Sequence, residues 1–163
     1  MVFNRFSQMT RKSTNRTDEV YIEAKPLIEV IDDDPRIREG LKLNLQKTYQ
    51  VRLCADGEEG ISSVNEEVYV VILDIKMPGK NGLQVYEAIK AKFPDLPIIF
   101  YSAYQSVLEG AKLSQQYKPF NYIDKSANIQ ELLGVVERAV QYSQTIRNLA
   151  NTEYRLQEMR KEK

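Results

Sequence analysis

A doubly wound α/β fold, five parallel strands with helices on both faces, is predicted for this chain by three observations. Short apolar runs rich in β-branched residues alternate with segments whose apolar side chains recur every three or four positions. Val68-Tyr69-Val70-Val71-Ile72-Leu73 is apolar or aromatic throughout, as a strand covered on both faces must be. Each run also ends in polar residues, at the strand ends where open α/β sheets gather ligands and chemistry.

Residues 1–26 read as a polar N-terminal extension, rich in Ser, Thr, Asn, Arg and Lys and without a periodic apolar face, in which only Val20–Ile22 suggests a short added strand. Leu27–Ile31 is the first strand and ends in Asp32-Asp33-Asp34-Pro35. Asp34 there caps a helix that opens on Pro35 and turns Ile37, Leu41 and Leu45 to one side through about Lys47. Tyr49–Cys54 alternates like a half-buried edge strand. Asp56-Gly57 turns the chain into a short helix around Glu58–Asn65, with Ile61 and Val64 inward. The central strand Val68–Leu73 delivers Asp74, and Met77–Gly82 is a loop before a helix that runs from Leu83 to Phe93-Pro94. Asp95–Tyr101 is the fourth strand and presents Ser102, a helix follows over about Gln105–Gln115, and Asn121–Ile123 is a short fifth strand ending in Asp124-Lys125-Ser126. Asn128 caps the last helix, on which Ile129, Leu132, Leu133, Val136 and Val140 share a face. Crossovers between parallel strands are expected to be right-handed.

Beyond Val140 the helical pattern continues. Ala139, Tyr142, Ile146, Leu149 and Leu156 keep a three-four spacing that Glu153 interrupts. The tail is a helix that pairs with a second copy, packs on its own body or frays into solvent.

Composition excludes several chemistries. The 163-residue chain is 42% hydrophobic, enough to bury a core, and has no apolar stretch near the roughly 20 residues of a membrane span, nor a signal-peptide core. A cytoplasmic protein is expected. One cysteine, Cys54, and no histidine remove internal disulfides, thiolate or imidazole metal sites and Ser-His-Asp triads. Any metal is then a hard cation held by oxygen. Net charge is zero, and the bases at both ends are scattered among acids, too weak a pattern for nucleic-acid binding. No glycine-rich loop follows the first strand, so dinucleotide and P-loop readings fail.

Set side by side, the strand ends gather Asp32, Asp33, Asp74, Ser102 and Lys125 on one edge of the sheet. Carboxylates so placed repel, by about 4 kcal/mol for two unit charges 4 Å apart at an effective dielectric near 20, and call for a cation. Magnesium joins one or two carboxylates to phosphate oxygens, and a lysine supplies further positive charge. Such a site suits a phosphoryl group, with Asp74 as carboxylate nucleophile and Ser102 as hydrogen-bond donor.

Four blocks carry a resemblance: V30-I31-D32-D33-D34-P35, L73-D74-I75-K76-M77-P78-G79-K80-N81-G82, F100-Y101-S102-A103-Y104 and N121-Y122-I123-D124-K125. In this order and spacing the sequence resembles the receiver domain of bacterial two-component response regulators, over about residues 26–142. The resemblance implies a flavodoxin-like sheet of order 2-1-3-4-5 and a receiver domain over 27–142; the helical pattern beyond it reads as a C-terminal extension over 143–163. It implies Asp74 as phosphoacceptor, with Asp32, Asp33, Asp74 and the backbone carbonyl of Lys76 around Mg2+ or Mn2+. Lys125 would hold a phosphoryl oxygen, and Ser102 and Tyr122 would form the switch pair. Lys76 and Tyr104 would flank the path of the hydrolytic water. The donor would be a sensor histidine kinase or histidine phosphotransfer protein, and the output contact with a downstream protein. Catalysis would be limited to the chain's own phosphorylation and slow autodephosphorylation.

Two departures from the family pattern stand out. Lys125 is followed by Ser126 where proline is usual, commonly after a cis bond, and the bulky Gln115–Phe120 replaces a Gly-Ala pair, so a rebuilt segment is expected there. Pro78 and Gly82 are expected to shape the loop after Asp74, glycine by a backbone geometry denied to other residues. A receiver-like scaffold indifferent to phosphate is the alternative function. A magnesium phosphohydrolase would need a carboxylate two residues after Asp74, where Lys76 stands.

Overall fold

A computed structural model describes residues 10–11, 21–22, 24–103 and 107–162 of the chain. Thr10–Arg11 (β1) and Tyr21–Ile22 (β2) form a small antiparallel pair, so the short strand expected near Ile22 has a partner. The main sheet begins at Leu27–Ile31 (β3), followed by Pro35–Leu45 (α1), Gln50–Cys54 (β4), Gly57–Ser63 (α2), Val68–Leu73 (β5) and Gly82–Lys92 (α3). Ile98–Ser102 (β6), Val107–Tyr117 (α4), Asn121–Asp124 (β7) and Ile129–Lys161 (α5) complete the chain. The five strands are all parallel, in the order β4-β3-β5-β6-β7, which is 2-1-3-4-5 counted from Leu27.

Period-two alternation sorts the strand residues into two cores. Val70, Ile72, Ile28, Val30 and Ile99 face Leu41 and Leu45 of α1 and Leu132, Val136 and Ala139 of α5. Val71, Leu73, Ile31, Ile98 and Phe100 face Val85, Tyr86 and Ile89 of α3. Both faces of β5 are therefore covered, as its unbroken apolar sequence requires.

Helix starts follow from side-chain caps. Asp34 accepts from Arg36 N, Asp56 from Glu59 N and Asn128 from Gln130 N, while Asn81 and Gln84 close a reciprocal capping box on α3. Each such cap contributes about 1 kcal/mol. Asp95–Pro97 lead into β6 instead of belonging to it; the Pro97 carbonyl still accepts from Val71 N at 3.1 Å.

The segment after α4 is organised by Tyr86. Its hydroxyl donates to the Tyr117 carbonyl and, at 3.3 Å, to that of Lys118, which ends the helix in the left-handed region at φ 48°. Phe120 N then reaches the Ile98 carbonyl at 2.9 Å and starts β7. No peptide bond among the described residues is cis, so Lys125-Ser126 is trans. No described helix is long and apolar enough to cross a membrane.

Candidate functional site

Four parallel strands aim their carboxyl ends at one spot. Asp32 directly follows β3, Asp74 directly follows β5, and Asp74 N donates to the Ile31 carbonyl at 2.9 Å, which ties the two acidic tips together. Ser102 closes β6, and the Ser102 carbonyl accepts from Lys125 N at 3.1 Å. The register of the sheet thus sets the four residues before any side chain is considered.

The side chains complete the convergence. One carboxylate oxygen from each of Asp32, Asp33 and Asp74 lies within 4.8 Å of the others, and this is the one cluster of three potential metal-ligating side chains among the described residues. Asp32 and Asp74 are 1% and 4% exposed, whereas Asp33 faces solvent. The Lys125 ammonium stands 2.7 Å from Asp32 Oδ2 and 3.2 Å from Asp74 Oδ2. Ser102 Oγ donates to Asp74 Oδ1 at 2.9 Å, and Lys76 N approaches the same oxygen at 3.3 Å.

Electrostatics leave the cluster short of positive charge. Burial raises the Asp32 carboxyl above its ordinary range, and the neighbouring Asp74 charge adds to this, while Lys125 and the Asp34 amide pull back without cancelling it. Burial alone would depress the Lys125 ammonium, but the hydrogen bond and charge of Asp32, with Asp74 behind it, hold it above its usual value. Three carboxylates against one ammonium leave two negative charges. Asp32 Oδ2 is fully buried and, apart from the ammonium contact, meets no hydrogen-bond donor. An all-oxygen set with that residual charge fits a hard divalent cation.

Asp34, the third acid of the triplet, is turned to other work. It caps α1 and pairs with Arg36 Nη2 at 3.0 Å. Two neighbours of the site were not legible as such. Arg38 Nη1 donates to the Asp32 carbonyl at 2.7 Å and braces the acidic loop; an arginine on the solvent-side spacing of a helix carries no signal for this. Gly82 is the other. A Cβ there would sit 2.2 Å from the Asp74 carbonyl oxygen, so the glycine lets the start of α3 close on the acidic tip, and the left-handed residue of the loop is Gly79, at φ 74°. The expectation that Gly82 serves an unusual backbone angle is corrected accordingly.

Tyr122 is half-buried and meets Phe100 edge-on, ring centroids 6.1 Å apart. Phe100 in turn packs on Tyr86 at 5.3 Å, so an aromatic row links β7 to the Tyr86 contact with the end of α4. Tyr104, expected beside the site, lies outside the described residues.

Comparison with known proteins gives a consistent picture. The family model for the response regulator receiver domain matches residues 28–137. The DNA-binding transcriptional regulator NtrC of Proteus hauseri is 34% identical over 132 residues, which cover 78% of this chain and 27% of that protein. NtrC of Salmonella typhimurium is 33% identical over 129 residues, again 78% of this chain and 27% of the relative. The chain thus spans about a quarter of the length of the curated relatives it matches. Among solved structures, the response regulator TrrA of Thermotoga maritima, in complex with Mg(2+)-BeF, is 38% identical with a TM-score of 0.61, covering 69% of this chain and 97% of that one. The non-phosphorylated HemR receiver domain of Leptospira biflexa is 29% identical with a TM-score of 0.64, covering 71% and 94%.

Proposed function

This chain belongs to the response regulator receiver domain family, and from that premise we propose that it is the phosphoacceptor of a phosphorelay, with Asp74 as the acceptor. The observation that carries the reading is the meeting of Asp32, Asp33 and Asp74 with a single ammonium, Lys125, at one edge of the sheet. Asp32, Asp33, Asp74 and the Lys76 carbonyl would hold Mg2+ or Mn2+. Bound there, the ion supplies the positive charge that phosphoryl transfer to a carboxylate needs.

The protein's own groups do the rest. An Asp74 Oδ attacks the phosphorus of a phosphohistidine; the new O–P bond forms as the P–N bond breaks, and the imidazole keeps the electron pair and takes a proton from solvent. Lys125 Nζ, already 3.2 Å from Asp74, holds one phosphoryl oxygen. The Ser102 hydroxyl exchanges its bond to Asp74 Oδ1 for one to the phosphoryl group. That shift draws β6 toward the site, and Tyr122, packed on Phe100 of the same strand, follows as the readout. The donor is a sensor histidine kinase or histidine phosphotransfer protein, which supplies the histidine this chain lacks. Output passes by contact with a downstream protein. The chain catalyses its own phosphorylation and slow loss of phosphate and acts on no other substrate.

Titration with Mg2+ and beryllofluoride, followed by NMR, tests this. Shift changes at Ser102, Tyr122 and Lys125, absent in Asp74→Asn, are expected, together with a phosphate mass gain from a small-molecule phosphodonor. A wild-type protein that gains no mass and shows no change at Tyr122 would instead be a scaffold that binds partners regardless of phosphate.

A further inference from the structure

The carbonyl of Asp32 lies between the end of β3 and the start of α1 and belongs to neither ladder. Arg36 N, the amide four residues on that a helix would have turned toward it, is taken by Asp34 Oδ1 at 2.9 Å. The helix backbone thus offers this carbonyl nothing. Arg38, half-buried, reaches back past the helix start and supplies the donor, Nη1 at 2.7 Å.

With that bond Asp32 is held at four points. Its amide donates to the Cys54 carbonyl of β4 at 3.2 Å, its carbonyl accepts from Arg38, its Oδ1 accepts from Asp34 N at 2.9 Å, and its Oδ2 faces the Lys125 ammonium at 2.7 Å. Asp33 is different. Its side chain faces solvent, yet one of its carboxylate oxygens lies within 4.8 Å of an oxygen from each of Asp32 and Asp74. Where that oxygen stands depends on the peptide from which the residue hangs, and the oxygen of that same peptide is the one Arg38 holds.

Rigidity of this kind selects among divalent ions. Mg2+ demands near-ideal octahedral geometry at about 2.0–2.1 Å, whereas Ca2+ takes about six to eight oxygens at about 2.3–2.6 Å in flexible arrangements. A carboxylate free to swing therefore serves Ca2+ better than it serves Mg2+.

We infer that Arg38 is a positioning residue for the metal: by fixing the peptide between Asp32 and Asp33 it sets the Asp33 carboxylate and gives the site its preference for Mg2+ over Ca2+. Charge alone makes the opposite demand. A guanidinium bonded to the backbone of a metal ligand repels a cation, so its removal tightens metal binding if charge is all it brings, and weakens it if geometry counts for more. The sign of the change separates the two. The inference rests on the acidic cluster being the metal site, which the wild-type titration tests by itself.

NMR titrations of the full chain with Mg2+ and with Ca2+, read at the amides of Asp33 and Asp74, decide it. Arg38→Met, which keeps an unbranched stem and favours helix, weakens Mg2+ binding about tenfold, the loss expected when a group behind a metal ligand is removed, and weakens Ca2+ less. Arg38→Gln, whose shorter stem falls short of the carbonyl, repeats that pattern, and circular dichroism of both matches the wild type. Arg38→Lys, which keeps one donor on a long stem, recovers most of the Mg2+ affinity. Arg36→Met removes an equal charge from a side chain that is 89% exposed and pairs with Asp34 instead, and binds Mg2+ no less tightly than wild type. Mg2+ binding as tight as wild type or tighter in Arg38→Met and Arg38→Gln, an unchanged ratio of Mg2+ to Ca2+ affinity, no recovery in Arg38→Lys, or an equal loss in Arg36→Met overturns the inference and leaves the metal site standing. A wild type that binds neither ion removes the site and the inference together.

Discussion

Lys125 and Asp32 are locked at 2.7 Å, closer than the 3.2 Å that separates the same ammonium from Asp74. The lysine that is to receive a phosphoryl oxygen is therefore first of all the counter-ion of a buried acid. Lys125→Met keeps the stem and removes the charge, leaving Asp32 and Asp74 buried without their cation. A loss of about 3–5 kcal/mol at neutral pH is expected from urea denaturation. Because Asp32 binds its proton more readily when folded, the loss shrinks as pH falls and that carboxyl is neutralised, and added Mg2+ recovers part of it. A loss independent of both pH and Mg2+ would mean that Lys125 acts by packing alone.

Ser102 tests the hydroxyl separately from the charge. Its Oγ donates to Asp74 Oδ1 from a position 1% exposed to solvent. Ser102→Ala should cost about 1 kcal/mol and weaken Mg2+-dependent beryllofluoride binding, while Ser102→Thr, which keeps the donor, should restore the binding. Equal affinity in all three proteins would remove Ser102 from the site.

A pH effect is expected far from the acidic edge. Glu29, in the middle of β3, is 0% exposed, and its Oε1 has no hydrogen-bond partner. Burial raises its carboxyl above the ordinary 4.5, and Ser63 and the Arg52 guanidinium, 3.4 Å from Oε2, offset only part of this. A carboxyl raised on folding adds stability that is complete below its unfolded value and is lost as pH rises through the folded one. Relative to the wild type, Glu29→Gln should therefore gain stability as pH rises above the ordinary carboxyl value of 4.5, measured as the difference between their denaturation midpoints. A difference that stays constant with pH would show that Glu29 does not titrate in this window.

Two glycines of one loop should respond differently. At Gly82 an added Cβ meets the Asp74 carbonyl oxygen at 2.2 Å and Ile75 Cα at 2.6 Å, both backbone atoms. Gly82→Ala should cost roughly 3 kcal/mol or more and spoil Mg2+ binding, because α3 and the Asp74 tip are forced apart. At Gly79 nothing lies within 4 Å and only the φ of 74° resists a side chain, so Gly79→Ala should cost about 1–2 kcal/mol and leave Mg2+ affinity intact. Thermal melts and Mg2+ titration of the two variants make the comparison.

The sheet and the site were legible because each strand announces its own end. An apolar run stops at Asp32, Asp74, Ser102 or Lys125, and parallel topology then carries those ends to one edge without further information. What stayed hidden depends on neighbours distant in sequence. Glu29 reads as one polar letter in a strand; only the register that sets it beside Arg52 makes a buried acid there tolerable. Tyr86 reads as core, yet its hydroxyl ties α3 to the end of α4. Gly82 reads as a turn residue, and its closeness to Asp74 exists only once α3 has docked. The bulky segment from Gln115 to Phe120 gives no hint of its path in sequence; α4 runs through Tyr117 and Lys118 turns the chain at a positive φ.

Strand β5 serves both ends of the molecule. Asp74 continues its last residue, and Val68 and Tyr69 at its foot grip Arg147 and Ser143, six positions away and about 20 Å along an extended chain. The carboxylate edge and the protruding helix α5 are thus opposite poles of one strand, so a molecule seated at one leaves the other open.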